Sequence, residues 1–166
     1  MIRLVVKGPP TTRHEPHHAG QGRSFPDRRT VVSVNRWRLK WEEEGAPRID
    51  GPVTIRILIE CRRPPSHYRR DGHSLNATGL RLPIPPRPDC SNVLKLIEDA
   101  LKGHAFGDDA LIAHADVVKT YETGAAQTVV TIRPHLPGEW RAFEWERADP
   151  PTPKEDACRP LLPASS

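Results

Sequence analysis

The chain has 166 residues, which corresponds to one domain with appendages. Hydrophobic residues make up 36% of it and aromatic residues 5%, enough for one sheet and a few helices but too few for two independent cores. The formal net charge is +4, and no apolar run approaches the roughly 18 residues that a membrane span needs, so the sequence argues against an integral membrane protein.

The N-terminus and the cysteines indicate a reduced compartment. Residues 1–7 contain no long apolar run and no small-residue cleavage site, which argues against a secretory signal. The three cysteines show no zinc-type spacing, and their odd number argues against a disulfide framework. We therefore expect a cytoplasmic protein.

Charge and proline divide the chain into two parts. Residues 134–166 hold four basic and six acidic side chains and seven of the 19 prolines, with few aliphatic residues and no periodicity. This composition predicts a Pro-rich, largely disordered C-terminal tail, of which Trp140, Phe143 and Trp145 could dock a short piece. Residues 1–133 carry the positive charge, +6, and form the predicted working domain.

In chain order, the first predicted elements are a strand, a long loop and a helix. Residues 2–7 have the pattern of a strand, which Gly8 ends, and residues 11–29 that of a polar loop. A helical period starts near Thr30 and is ended by Gly45. Three apolar residues at helical spacing form its predicted core face: Val34, Trp37 and Trp41.

The clearest strand, a basic loop and a second helix follow. Residues 53–61 alternate apolar and polar side chains, as a half-buried strand does. Residues 62–88 form a predicted loop that is rich in proline and arginine and contains one acid, Asp71. Ser91 is predicted to open the second helix, and Gly103 to end it. The predicted core stripe of this helix is Val93, Leu94, Ile97, Ala100 and Leu101.

Two closing strands complete the predicted domain. They fall at about 113–121 and 127–133, joined by a hairpin loop at residues 123–126. The order β-α-β-α-β-β predicts an α/β (α+β) domain in which a small mixed β-sheet packs with two main helices.

Acidic residues gather at both ends of the second helix. Asp89 precedes it, and Asp108 and Asp109 lie on the turn after it. Spacing places four polar side chains on one face of the helix: Asn92, Lys95, Asp99 and Lys102. Since the helix is roughly 17 Å long, Asp89 and Asp109 meet only if the chain returns alongside it or if a dimer axis brings two copies together. The sequence leaves both possibilities open.

Two interpretations of this acidic cluster are open. Aspartates together with a phosphate suit Mg²⁺, and Lys95 would neutralise the charge that develops in phosphodiester cleavage. The alternative is structural: Asp89 and Ser91 are good helix-capping residues, an Asp-Asp turn is ordinary, and Lys95 with Asp99 is an i, i+4 surface pair. Spacing alone does not decide between them.

The loop before the second helix is positively charged and leads to the acidic cluster. Its six arginines against one acid favour contact with a phosphate backbone over a merely solvated loop. Tyr68 is a candidate to stack on or wedge into DNA, or else to pack the loop down. The candidate DNA-binding residues are Arg62, Arg63, Tyr68, Arg69, Arg70, Arg81, Arg87 and Asn92.

Histidines near the N-terminus and Cys90 are weaker candidates for a metal site and a catalytic site. His14, His17 and His18 lie in a Gly-rich loop without partner cysteines, so we do not expect a metal site there. Cys90 has no neighbouring residues that would form a Cys/His catalytic arrangement, so we expect it to be inert.

The motifs around the second helix resemble those of the RusA family of Holliday-junction resolvases. Residues 88–95, Pro-Asp-Cys-Ser-Asn-Val-Leu-Lys, are similar to the family motif Pro-Asp-x-Asp/Ser-Asn-Leu-x-Lys, and Asp99-Ala100-Leu101 and Asp108-Asp109 follow in the family's order. Two further segments resemble family segments: Ser66-His67-Tyr68 and Phe25-Pro26-Asp27. The resemblance covers roughly residues 2–133.

The resemblance implies a RusA-like fold and a homodimeric, Mg²⁺-dependent endodeoxyribonuclease that resolves four-way DNA junctions by paired nicks in DNA recombination and repair. It implies that Asp89, Asp109 and Lys95 are catalytic. The implied metal ligands are Asp89, Asp108, Asp109, Ser91 and Asp99. Ser91 stands where the family's second motif Asp is found, and a hydroxyl is a weaker, neutral ligand.

Two other functions stay open. One is a non-catalytic dimer that binds branched DNA and whose metal site is weakened by Ser91. The other is a general metal-dependent nuclease that acts on branched or flap DNA. Junction binding without cleavage would indicate the first, and equal cutting of linear duplex the second.

Overall fold

The computed structural model of the protein describes residues 1–14, 17–19, 23–25 and 27–136. Most of the predicted tail, with its three aromatic residues, lies outside the described residues, as do the side chains of His17 and His18. Within the described part, no helix has the length and apolar character needed to cross a bilayer. The elements in chain order are β1 (Ile2–Lys7), β2 (His17–Ala19), β3 (Arg23–Phe25), α1 (Arg28–Glu43), β4 (Val53–Arg62), α2 (Ala77–Arg81), α3 (Cys90–Leu101), β5 (Ile112–Glu122) and β6 (Gln127–Pro134).

A four-stranded mixed sheet has the strand order β1-β6-β4-β5. β4 runs parallel to β5 and antiparallel to β6, which also pairs antiparallel with β1. The predicted fold class, a small mixed sheet with helices, is confirmed.

The predicted hairpin between the last two strands is wrong. β5 and β6 are consecutive in the chain, but β4 lies between them and pairs with both. Residues 123–126 therefore span two strand spacings, about 10 Å, which four extended residues can cover. The parallel pairing of β5 with β4 is possible because α3 lies in the connection between these two strands.

An aspartate caps the N-terminus of each long helix. Asp27 caps α1 by accepting from the backbone N–H of Arg29 at 2.8 Å, so the helix starts at Arg28 rather than near Thr30. Asp89 caps α3 by accepting from the backbone N–H of Ser91 at 3.2 Å. The prediction that Ser91 opens this helix is wrong by one residue, and the cap belongs to Asp89.

The core lies between the sheet and the two long helices. The predicted apolar faces are confirmed: Trp37 and Trp41 of α1 are buried, and the stripe of α3 is buried except for the partly buried Leu94. They pack in one cluster with the alternate residues of β4 from Val53 to Cys61. Burial of this stripe turns the opposite edge of α3 to solvent.

The two predicted long loops contain short regular elements. Residues 11–29 include the antiparallel pair β2–β3, and residues 62–88 include a 3₁₀ turn at Pro65–His67 and the helix α2. Asn76 caps α2 and also donates its side-chain amide to the carbonyls of Ser66 and Tyr68. These contacts hold parts of the loop together, so the segment predicted as a long loop contains short helical elements.

Candidate active site

Of the predicted catalytic residues, Lys95 lies within α3 and the two aspartates lie beyond its ends. Lys95 is exposed and Asn92 half-buried, and the backbone carbonyl of Asn92 accepts from the N–H of Arg13 at 3.2 Å. Acidic residues lie at both ends of this helix: Asp89 at the start, and Asp108 and Asp109 beyond the end. Exposed charged side chains therefore lie within α3 and at both of its ends.

At the start of α3, the exposed side chain of Asp89 is held by Ser91, two residues further along the chain. One oxygen of its carboxylate accepts from both the backbone N–H and the hydroxyl of Ser91, each at 3.2 Å. The chain before Asp89 is anchored by Lys119 of β5, whose ammonium donates to the carbonyls of Pro88 at 3.0 Å and Pro86 at 3.4 Å. Lys119 could not be predicted as a contact of this turn, since nothing in the sequence pairs the two.

Beyond the end of α3, two aspartates converge on one ammonium. The Nζ of Lys102 lies 2.7 Å from Oδ2 of Asp108 and 3.0 Å from Oδ1 of Asp109. Hydrogen bonds to Asp108 and then Asp109 raise the pKa of Lys102 to about 12, and the same bond to Lys102 holds the pKa of Asp108 well below its usual range. Asp108 is fixed by accepting from the N–H of Ala110 at 3.0 Å, because it caps the 3₁₀ turn Asp109–Leu111.

Glu98 joins this end of the helix and was missed as a site residue. It is half-buried, and burial raises the pKa of its carboxyl, with the charges of Asp109 and Asp99 acting in the same direction. It lies one turn before Lys102 on the helix, so the i, i+4 spacing was the signal that could have found it.

Asp99 is paired with an arginine from another segment of the chain. Its carboxylate forms an ion pair with Arg13 at 3.0 Å, on the side where the segment before α1 crosses α3. The guanidinium of Arg38 donates to the backbone carbonyls of Asp99 and Ala100. The predicted surface pair of Asp99 with Lys95 is thus replaced by a pair with an arginine distant in sequence.

The carboxylates do not gather into one site within a single copy of the chain. α3 has 12 residues and is about 18 Å long, with Asp89 at one end and Asp108 and Asp109 beyond the other. Among the described residues, no three acidic, histidine or cysteine side chains lie close enough together to share a metal. Asp108 and Asp109 nevertheless fit Mg²⁺ as a pair: they hold one cation already, and Mg²⁺ commonly takes one or two protein carboxylates and keeps its waters.

The basic loop leads directly into Asp89. Five of its arginines are exposed: Arg62, Arg69, Arg70, Arg81 and Arg87. Arg63 differs, because its guanidinium donates to the carbonyls of Gly79 and Leu82 within the loop. Tyr68 is half-buried and forms a β-bridge with Leu75. The exposed arginines therefore lie on a folded loop rather than on a loose one.

Comparison with known proteins gives one family. The model of the family described as Endodeoxyribonuclease RusA matches residues 7–133. The match contains β4, the basic loop, α3 and the acidic turn after it. No curated protein matches the chain.

Proposed function

The chain belongs to the RusA family of endodeoxyribonucleases, since the matched residues 7–133 make up most of its length, and we propose that it resolves four-way DNA junctions by paired nicks with Mg²⁺. The observation that carries the proposal is the convergence of Asp108 and Asp109 on a single cation at the end of α3. Two neighbouring carboxylates are what Mg²⁺ commonly takes from a protein when a substrate phosphate and water supply its other ligands.

In this proposal Asp108 and Asp109 hold Mg²⁺, which would supply a polarised water and stabilise charge on the phosphate. Lys95 lies exposed on the same helix edge, where its ammonium would neutralise charge on the scissile phosphate. Ser91 and Asp99 are the remaining proposed ligands. Ser91 would act next to Asp89, whereas Asp99 would first have to leave Arg13.

A homodimer would complete the site. Because Asp89 and Asp109 lie at opposite ends of α3, two copies related by a twofold axis with their α3 helices antiparallel could bring Asp89 of the partner subunit beside Asp109. Such an axis generates two equivalent sites. Two sites match the two strands that a junction resolvase cuts.

The exposed arginines of the loop are the proposed contacts to the DNA backbone. Five basic contacts of this kind in each copy make binding strongly dependent on salt, since each neutralised phosphate releases counterions. Arg63 is proposed to hold the loop in shape, while Tyr68 and Asn92 are proposed to meet DNA beside the arginines. The proposed set is Arg62, Arg69, Arg70, Arg81, Arg87, Tyr68 and Asn92.

The test is cleavage of a synthetic four-way junction with Mg²⁺ by the full chain. Wild type is expected to nick opposite strands, and the variants Asp109→Asn and Lys95→Ala are expected to bind the junction but lose cleavage. Asp50→Asn is the matched control, because Asp50 is 95% exposed and pairs only loosely with Arg48, at 3.9 Å. Unaltered cleavage by Asp109→Asn would refute the assignment of the site.

The same assay separates the alternatives. Junction binding without cleavage by wild type would favour the non-catalytic DNA-binding dimer, which the neutral Ser91 at a ligand position supports. Equal cutting of a linear duplex would favour a general nuclease.

A further inference from the structure

Lys102 occupies the point between Asp108 and Asp109 at which a divalent ion would bind both. We propose that Lys102 is a built-in competitor for the metal: Mg²⁺ must displace its ammonium to enter, so Lys102 sets the metal concentration at which the enzyme becomes active. Lys102 can do this only if Asp108 and Asp109 hold the metal, so its role rests on the proposed function.

The distances make the two cations mutually exclusive. The ammonium is within hydrogen-bond range of one oxygen from each aspartate, at 2.7 and 3.0 Å. Mg²⁺ binds oxygen at about 2.0–2.1 Å, so an ion bound to both carboxylates would occupy the space between them where the ammonium lies. A metal that binds both carboxylates therefore has to replace Lys102.

The lysine side chain is able to leave. Its side chain is 44% exposed, and its charge is carried on a flexible four-carbon stem. Ion pairs at such an exposed position are weak and screened by salt. Lys102 also caps the C-terminus of α3, where Gly103 follows with a positive φ of 80°.

The turn does not depend on Lys102 for its shape. The N–H of Gly103 donates to the carbonyl of Phe106 at 2.8 Å, and Phe106 is fully buried in the core. Asp108 keeps its bond from Ala110 whatever stands at position 102. Substitution of Lys102 is thus expected to remove the competing charge while the two carboxylates stay in place.

The test measures Mn²⁺ affinity of the full chain, by electron paramagnetic resonance of free Mn²⁺ and by calorimetry, for wild type, Lys102→Gln and Lys102→Arg. Loss of two exposed ion pairs predicts about fivefold tighter binding by Lys102→Gln. Lys102→Arg retains a cation and is expected to bind like wild type. Lys40→Gln is the matched control, because Lys40 pairs with Glu43 and Glu44 on α1 at 3.2 and 3.1 Å.

Two further variants separate failure of this role from failure of the metal site. Asp108→Asn and Asp109→Asn are expected to weaken Mn²⁺ binding. If they do so while Lys102→Gln binds no more tightly than wild type, the competitor role is refuted and the metal site stands. If neither aspartate variant changes Mn²⁺ binding, the metal site itself is refuted, and the role of Lys102 with it.

Discussion

The guanidinium of Arg63 lies over the ring of Tyr121, 4.2 Å from the ring centroid. Tyr121 belongs to β5, so this cation–π contact ties the beginning of the basic loop to the edge strand of the sheet. Arg62, the preceding residue, is exposed. Two neighbouring arginines that look equivalent in the sequence therefore differ in role: one anchors the loop, and the other faces solvent.

Arg63→Ala is expected to lower the free energy of unfolding by about 1–2 kcal/mol, because it removes the contact with Tyr121 and the bonds to two loop carbonyls. Urea titration measures this loss, and limited proteolysis reports opening of the loop. Arg62→Ala is the matched control and should leave both unchanged while weakening junction binding. Equal destabilisation by the two variants would contradict the division of roles.

The stability of the turn that Asp71 forms in the basic loop is expected to depend on pH. Hydrogen bonds from the backbone N–H groups of His73 and Ser74 lower the pKa of its carboxyl from 3.8 to about 2. Because the folded pKa is the lower one, the stabilisation is fully present above pH 3.8 and is lost as the pH falls toward about 2. The amide proton shifts of His73 and Ser74 in NMR spectra should titrate with a midpoint near 2.

Asp71→Asn is the control for this titration, because an asparagine oxygen can accept the same bonds without a charge. The two amide shifts of this variant should stay constant over the same range of pH. A wild-type midpoint near 3.8 would mean that the carboxylate does not accept these bonds in solution.

Ser91→Asp is expected to tighten binding of Mn²⁺ severalfold, since it adds a carboxylate beside Asp89 at a proposed ligand position. The cap of α3 survives, because Asp89 accepts from the backbone N–H of residue 91 as well as from the hydroxyl. Ser91→Ala keeps the cap and adds no ligand, so it should not gain affinity. Calorimetry distinguishes them, and equal affinities of the two variants would show that position 91 does not face the metal.

Sequence periodicity predicted the elements whose residues are buried on one side. The alternation from Val53 to Cys61 and the spacing of Trp37 and Trp41 reflect burial against the same core, so local pattern and tertiary contact agree. The insertion of β4 between β5 and β6 could not be predicted in this way. A link of four residues suits a hairpin equally well, and the strand order depends on pairing between distant segments.

The candidate site, too, could be predicted from the sequence only in part. Spacing predicted that Lys95 and Lys102 lie on one edge of α3, and both side chains are exposed. It could not show that the chain after Gly103 folds back far enough to bring Asp108 and Asp109 to Lys102, because this return depends on the burial of Phe106. The pairing of Asp99 with Arg13 could not be predicted either, because the two residues belong to segments far apart in sequence.

Gly79 of α2 is expected to tolerate no side chain. A Cβ at this position would lie 2.4 Å from the backbone carbonyl oxygen of His67. That carbonyl also accepts from the N–H of Asn76 at 3.0 Å. It therefore cannot move away from the new Cβ without breaking this hydrogen bond within the loop. Gly79→Ala should therefore cost about 1–3 kcal/mol of unfolding free energy, measured by urea titration. It should also speed proteolysis within residues 64–88.

Gly124→Ala is the matched control for this substitution, because the nearest atom to a Cβ there, Cγ of Glu122, is 4.0 Å away. Its unfolding free energy should stay within about 0.5 kcal/mol of wild type. If Gly79→Ala were equally neutral, α2 would not pack on His67 as described. The carbonyl of Gly79 also accepts from Arg63, so a displaced α2 releases the loop at both contacts. Gly79→Ala should then weaken junction binding as well, whereas Gly124→Ala should not.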